Sequence, residues 1–124
     1  MSDSTSEPRL RFPSTRRLKR SRDFARVRLE GKSVRGGFLM LGVLRLDEEA
    51  AFRVGFVTSR RVGGAVVRNR VRRRLRDIVR RHQHELAPGL WLVVIARPGA
   101  DAATSAQLEE EWLRLGGRAS ILRP

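Results

Sequence analysis

One segment of the sequence, residues 60–81, constrains the fold more than any other. Ten of its 22 residues are arginine, and Asp77 is its only acidic residue. At about 100° per residue of an α-helix, a single stripe is formed by Val67, Val71, Leu75, Ile78 and His82. The spacing therefore predicts an amphipathic helix whose stripe packs on a core while arginines cover the remaining surface.

These arginines have few acidic partners. A solvated helix face normally carries carboxylates three or four residues from its cations, and here only Asp77 can serve. Unpaired like charges at that spacing cost about 0.2–0.5 kcal/mol per pair, which an anionic partner would offset. Guanidinium groups also bind phosphate in a bidentate manner. The segment therefore predicts a polyanion-binding surface, with a solvated helix face as the simpler alternative.

The entry to this helix carries paired glycines, Gly63 and Gly64, and Arg60 and Arg61 lie just upstream of them. Glycine allows positive φ and close approach of the backbone to a ligand. The first N–H groups of a helix also attract anions. The glycines therefore indicate either an anion-binding turn or a plain strand-to-helix turn.

Composition narrows the class of protein. The 124 residues carry a net charge of +14, and no cysteine is present. This length predicts one domain, and the charge predicts a nucleic-acid partner, with an anionic membrane surface as the competing partner. The chain shows no apolar run near the ~20 residues of a membrane span and no apolar signal-peptide core. We expect a cytoplasmic protein that does not bind a membrane.

The order of apolar runs predicts a single two-layer α+β domain with helices packed on one face of a single sheet, which would leave the other face available. Residues 1–16 are expected to form a disordered tail, residues 17–118 the domain, and residues 119–124 a C-terminal tail. A first short helix is predicted with Ser21 as its N-cap and Gly31 at its end.

The apolar runs at residues 38–44 and 52–56 predict two strands of a hairpin around an acidic turn at 47–49. Residues 90–96 predict a central strand, because their apolar run does not alternate. In the last helix, Thr104 and Gln107 match a capping box, and Gly116-Gly117 is expected to end it. The order is helix, two or three strands, basic helix, strand, helix.

No catalytic or metal-binding set of residues stands out. His82 and His84 point about 200° apart on a helix at ~100° per residue, so we expect no shared metal. The acidic runs suit a turn and a helix start better than paired acid–base catalysis, which needs carboxylates across a cleft.

One 18-residue run carries a resemblance: Ser59-Arg60-Arg61-Val62-Gly63-Gly64-Ala65-Val66-Val67-Arg68-Asn69-Arg70-Val71-Arg72-Arg73-Arg74-Leu75-Arg76. It resembles the signature of the protein subunit of bacterial ribonuclease P. The likeness extends over residues 18–115 and includes Gly31-Lys32-Ser33, which resembles the turn after the family's first helix.

The resemblance implies a fold and a function. The family fold is a ribosomal-protein-like, two-layer α+β domain of order α-β-β-β-α-β-α, with a four-stranded sheet and a left-handed βαβ crossover. In this family an RNA subunit with Mg²⁺ cleaves precursor tRNA to give the mature 5′ end. The protein acts as its cofactor: it binds that RNA through the arginine-rich helix and holds the 5′ leader in a cleft between the first helix and the sheet.

Carried over by position, the expected RNA contacts are Arg60, Arg61, Arg68, Asn69, Arg70, Arg72, Arg73 and Arg76. Phe24 matches an aromatic residue of the family's leader cleft, and Val57 is expected to line the same cleft. Two positions depart from the family pattern, because Arg28 and Leu41 stand where cleft aromatics are common. Leader binding is therefore expected to depend on charge and aliphatic contact more than on stacking.

Two other functions compete with this one. A structural RNA-binding protein of the ribosome type fits the charge and size equally well, and only residues 60–76 argue against it. A stand-alone nuclease would cleave precursor tRNA without added RNA. No organic cofactor and no obligate protein partner are expected.

Overall fold

A computed structural model of the chain describes residues 16–46 and 51–122. The regular elements of this part are α1 (Ser21–Glu30), β1 (Lys32–Arg35), β2 (Leu39–Arg45), β3 (Arg53–Thr58), α2 (Ala65–His82), β4 (Leu90–Ala96) and α3 (Ser105–Ala119). Short 3₁₀ turns lie at Arg60–Val62, Gln83–Glu85 and Ala100–Ala102. The order α-β-β-β-α-β-α confirms the prediction. Within the described residues, no helix combines the length and apolarity needed to cross a membrane.

The four strands form one mixed sheet in the order β1-β2-β4-β3. Strand β2 is antiparallel to both β1 and β4, whereas β3 is parallel to β4. The predicted hairpin of β2 and β3 is therefore wrong, because β4 lies between them. Five of the seven residues of β4 are buried, and a strand buried on both faces takes a central place. The acidic turn predicted at 47–49 lies outside the described residues.

The parallel pair β3 and β4 is joined through α2, which forms a βαβ unit. Helices α2 and α3 cover one face of the sheet and form the main core with residues such as Leu41, Leu92 and Trp112. The alternate residues of β4, including Val93, face a smaller cluster with Leu18 and Val27 of the α1 region. Helix α1 therefore crosses the other face, so the expectation that the helices leave this face available is wrong. The left-handed course of the crossover stays a prediction.

Two glycines allow close packing around α1: Gly55 lies in β3 beneath the helix, and Gly31 is its C-cap. A Cβ at Gly55 would collide with the ring of Phe24, and one at Gly31 would collide with the carbonyl oxygen of Val43. The N-cap of α1 is Arg20 and not the predicted Ser21, which is the first helical residue. The predicted turn at residues 31–33 is also wrong, since Lys32 begins strand β1.

Helix α3 begins as predicted and ends later. Thr104 and Gln107 make both hydrogen bonds of the capping box. The helix continues through Gly116 and Gly117 to Ala119 and ends at Ser120, whose φ is 58°. Gly116 is buried, and a Cβ there would make only ordinary contacts with Ile121 and Leu122 at 3.5 Å, so the position does not require glycine.

The predicted tails need correction where the structure describes them. Ile121 is 0% exposed and Leu122 pairs with Leu86, so residues 119–122 belong to the domain. Residues 1–15 and 123–124 lie outside the described residues. Arg16, the last residue of the predicted N-terminal tail, places its guanidinium carbon 4.5 Å from the ring centroid of Phe52.

Candidate nucleic-acid interface

Helix α2 turns its apolar stripe into the core. Val71, Leu75 and Ile78 are buried as predicted, and the structure adds Val79 to this face. Val67 and His82, at the two ends of the stripe, are only partly buried. The helical phase expected from the spacing is confirmed, so the other side of α2 carries its arginines outward.

The start of α2 follows the paired glycines. Gly63 adopts a φ of 156°, and Gly64 is the N-cap with an extended backbone. The carbonyl oxygen of Gly64 accepts the N–H of Arg68 at 2.9 Å, which begins the helical hydrogen bonds. Arg60 and Arg61 lie in the 3₁₀ turn just before it, with exposed side chains.

One cavity joins α2 to the edge of the sheet, and we name it the basic pocket. Its volume is about 390 Å³. It is lined by Arg17, Leu18, Phe24, Val54, Gly55, Phe56, Asn69, Arg72, Arg73 and Arg76. The guanidinium of Arg72 donates to Oδ1 of Asn69, and that of Arg76 lies 5.9 Å from the ring centroid of Phe56. The pocket thus has apolar walls and a rim of arginines.

The structure brings together half of the predicted RNA contacts in this pocket. Asn69, Arg72, Arg73 and Arg76 line it with Phe24. The other four predicted contacts do not line it: Arg60, Arg61, Arg68 and Arg70. Arg60, Arg61 and Arg70 are exposed, and Arg68 is partly buried.

The basic pocket carries a strong positive field. Partial burial lowers the pKa of Arg76, and the nearby charges of Arg17, Arg72 and Arg73 lower it further. Each neighbouring cation disfavours a further positive charge at this place. An anion in the pocket would relieve this repulsion.

A second cavity, which we name the apolar groove, lies between α1 and the sheet. Its volume is about 260 Å³. It is lined by Phe24, Val27, Arg28, Gly31, Lys32, Ser33, Met40, Gly42, Val57, Val93 and Ile95. Three of the four predicted cleft residues therefore lie in one groove, namely Phe24, Arg28 and Val57.

Leu41 is the exception, and its assignment to the cleft is corrected. Its side chain is 0% exposed and belongs to the main core on the other face of the sheet. Successive residues of a strand point to opposite faces, so its neighbours Met40 and Gly42 line the groove instead. Alternation along β2 predicts that Met40 and Leu41 lie on opposite faces. The sequence did not show which of the two faces the core, because both faces of this run are apolar.

Sequence reasoning also missed Arg17. The backbone N–H of Leu18 donates to the carbonyl oxygen of Val54 at 3.0 Å, and Arg17 pairs with Val54 along the edge of β3. This pairing places Arg17 in the basic pocket opposite α2. No local pattern in the sequence indicates a contact between residues so far apart.

Among the described residues, no group of three His, Cys, Asp or Glu side chains is placed to hold a metal ion. His82 instead lies between Glu85 and Glu109, with each ring nitrogen 2.7 Å from a carboxylate oxygen. His84 is 70% exposed.

Comparison with known proteins identifies relatives over most of the chain. The family model described as Ribonuclease P matches residues 12–120. The ribonuclease P protein component of Beutenbergia cavernae is 43% identical over 115 residues, which cover 90% of this chain and 97% of the relative. That of Acidothermus cellulolyticus is 44% identical over 108 residues, which cover 86% and 90%.

Solved structures show the same fold. The RNase P protein of Staphylococcus aureus aligns with a TM-score of 0.79 at 27% identity, covering 87% of this chain and 98% of that chain. The RNase P protein of Thermotoga maritima aligns with a TM-score of 0.73 at 29% identity, covering 82% and 96%.

Proposed function

The chain belongs to the ribonuclease P protein family, and from this premise we propose that it is the protein cofactor of an RNA-based endoribonuclease. Family membership supports a general role in tRNA processing within a ribonucleoprotein. In our proposal, the RNA subunit performs the cleavage that removes the 5′ leader of precursor tRNA. The cytoplasmic location remains a prediction.

We propose that α2 binds the ribonuclease P RNA. Its buried stripe fixes the helix on the sheet, so its arginines are held at defined positions on a rigid element. Among them, Arg72, Arg73 and Arg76 converge with Asn69 on the basic pocket. Guanidinium groups suit phosphate because their N–H donors match its oxygens in pairs. The lowered pKa of Arg76 supports an anionic ligand here.

We propose that the 5′ leader runs through the apolar groove to the basic pocket. The observation that carries this proposal is that Phe24 lines both cavities. A single strand needs apolar or aromatic surface for its bases and cations for its phosphates. The groove offers the first through Val57 and Ile95, and its rim offers the second through Arg28 and Lys32.

The protein itself is not expected to hold the Mg²⁺ that the family reaction needs. No group of three His, Cys, Asp or Glu side chains among the described residues is placed to hold a metal ion. We propose that the RNA and the substrate bind the Mg²⁺. The role of the protein is then to bind, orient and neutralise phosphates.

The competing function, a structural protein of the ribosome, is less well supported. The Ribonuclease P family model covers residues 12–120, far beyond the arginine-rich run. A ribosomal protein would sediment with ribosomal subunits, whereas this protein should copurify with a separate RNA.

The decisive experiment is cleavage of precursor tRNA by the RNA alone, by the protein alone and by both. We expect the protein alone to be inactive at any Mg²⁺ concentration and the mixture to exceed the RNA alone. Cleavage by the RNA-free protein would support the stand-alone nuclease instead.

A further inference from the structure

A third cavity lies where the second half of α2 meets the start of α3, and we name it the helix-junction cavity. Its volume is about 590 Å³. It is lined by Arg17, Arg73, Arg74, Arg76, Asp77, Arg80, Arg81 and Ser105. Arg17, Arg73 and Arg76 also line the basic pocket, so the two cavities adjoin. The remaining five residues are not among the RNA contacts that the family signature implies.

The arginines of this cavity are held in place by the protein. Arg74 donates to the carbonyl oxygen of Ala103 at 3.1 Å. Arg80 donates to the carboxylate of Asp77, and Arg81 lies 3.4 Å from a carboxylate oxygen of Glu109. A guanidinium has five N–H donors, so each of these contacts leaves donors for a ligand. Such fixed donors lose little conformational entropy when a ligand binds.

The charge of the cavity is far from balanced. Among the described residues that line the cavity, six arginines face one aspartate, and that aspartate already pairs with Arg80 and Arg81. Glu109, which does not line the cavity, also pairs with Arg81. At the other wall, Ser105 is the first residue of α3, whose first turn carries no acidic residue. The pKa of Arg76 is lowered, after burial, by Arg17, Arg72 and Arg73. A negatively charged ligand would offset the excess positive charge that Arg73, Arg74, Arg80 and Arg81 bring to this wall.

We propose that the helix-junction cavity is a separate phosphate-binding site that engages a phosphodiester of RNA beyond the basic pocket. The proposal rests on the proposed function, because an RNA partner supplies the ligand. The phosphodiester could come from the ribonuclease P RNA or from precursor tRNA. The new residues of the site are Arg74, Arg80, Arg81 and Ser105.

The test introduces a carboxylate into the cavity with little effect on the fold. Ser105→Glu places an acidic side chain in the first turn of α3, where it suits the helix dipole and can occupy the arginines in place of phosphate. Ala106→Glu is the matched control, because Ala106 is exposed, stands in the same turn and does not line the cavity. Ser105→Gln controls for size without charge.

Each variant is assayed across salt for binding to ribonuclease P RNA, and then, as the assembled complex, for binding to precursor tRNA. We expect Ser105→Glu to weaken one of these interactions about tenfold, as loss of a charge-assisted hydrogen bond would. The salt dependence should fall by about 0.7–0.9 in slope for one phosphate. The arm that shows the loss identifies which RNA supplies the phosphate.

The phosphate site would be overturned if Ser105→Glu and Ala106→Glu bound both ribonuclease P RNA and precursor tRNA with equal affinity. It would also be overturned if Ser105→Gln lost as much affinity as Ser105→Glu. Such a result leaves the proposed function intact if the wild-type protein still binds the RNA and stimulates cleavage. Failure of the wild-type protein in those assays would instead reject the proposed function.

Discussion

At the scale of single residues, Glu111 is the carboxylate that most affects the fold. It is 6% exposed and accepts the backbone N–H groups of Gly37, Phe38 and Leu39 at 3.2, 2.7 and 2.7 Å. Arg114 lies 3.2 Å from it. The side chain thereby ties α3 to the turn that precedes β2.

Replacing Glu111 by Gln should destabilise the protein. In either orientation, the new amide group turns its own donors toward backbone N–H groups, and hydrogen bonds to a charged acceptor contribute about 1.5–3 kcal/mol. We expect a loss of about 2–3 kcal/mol in the free energy of unfolding, measured with urea. Glu110→Gln, on the exposed side of the same helix, should change it little. Equal effects of the two variants would contradict this role.

Phe24 is the residue on which the leader proposal depends. Its ring packs over Gly55 and lines both the basic pocket and the apolar groove. Phe24→Leu should keep the fold and weaken binding of precursor tRNA to the assembled complex by about 1–3 kcal/mol, the range for stacking of a base on an aromatic ring.

Mature tRNA, which lacks the leader, is the control substrate for Phe24→Leu. Leu29→Ala is the control variant, since Leu29 is on the same helix and 77% exposed. If Phe24→Leu weakened binding of both tRNA forms equally, the ring would not contact the leader.

At the scale of elements, the two faces of α2 have different roles: the apolar face stabilises the fold, and the arginine face is proposed to bind RNA. Leu75 is 0% exposed in the main core, and Leu75→Ala should cost about 2–5 kcal/mol of stability. Arg73 is exposed and lines the basic pocket, so Arg73→Ala should weaken RNA binding at a nearly unchanged midpoint of unfolding. The reverse pattern would show that the arginine face, and not the stripe, supports the fold.

Helices α2 and α3 are also joined by a hydrogen-bonded histidine. Burial alone would lower the pKa of His82, but hydrogen bonds and charge from Glu85 and Glu109 outweigh it and raise the pKa above its usual 6.5. Only the protonated ring can donate to both carboxylates, and the ring stacks on Trp112 at 5.6 Å between centroids.

This arrangement predicts a pH-dependent stability. Because the pKa is higher in the folded state, the stabilisation is complete below about 6.5 and is lost as pH rises through the raised value. The measurement is the free energy of unfolding between about pH 5.5 and 8.5 for the wild type and for His82→Gln. The advantage of the wild type over His82→Gln should shrink as pH rises. A constant advantage over this range would contradict the prediction.

At the scale of the whole molecule, charge is the dominant property. The net charge is +14, and the basic pocket and helix-junction cavity concentrate arginines along α2. Bound cationic side chains replace counterions around RNA. We therefore expect the protein to stimulate cleavage by the ribonuclease P RNA most at low Mg²⁺ and least at high Mg²⁺.

The measurement is the cleavage rate with and without protein across a Mg²⁺ titration. Arg73→Ala should reduce the stimulation at low Mg²⁺, and Arg22→Ala, on the exposed surface of α1, should reduce it less. Stimulation that did not depend on Mg²⁺ would show that phosphate neutralisation is not the main contribution of the protein.

Features that depend on local periodicity can be predicted from the amino-acid sequence alone. The phase of α2, with Leu75 inward and Arg73 outward, follows from 3.6 residues per turn. The capping box at Thr104 follows from one side chain and its neighbours three residues away. The order of elements follows from the same local patterns, and the positive surface follows from the composition of the whole chain.

Contacts between residues that are far apart in the sequence became visible in the three-dimensional fold and not before. Alternation identified β3 as a strand but could not show that β4, and not β2, pairs with it, because strand order depends on the burial of the whole sheet. The same reason explains why Leu41 faces the core and Met40 the groove. Arg17 reaches the basic pocket through a backbone pairing with Val54. The two cavities along α2 arise from such long-range contacts, which no local pattern encodes.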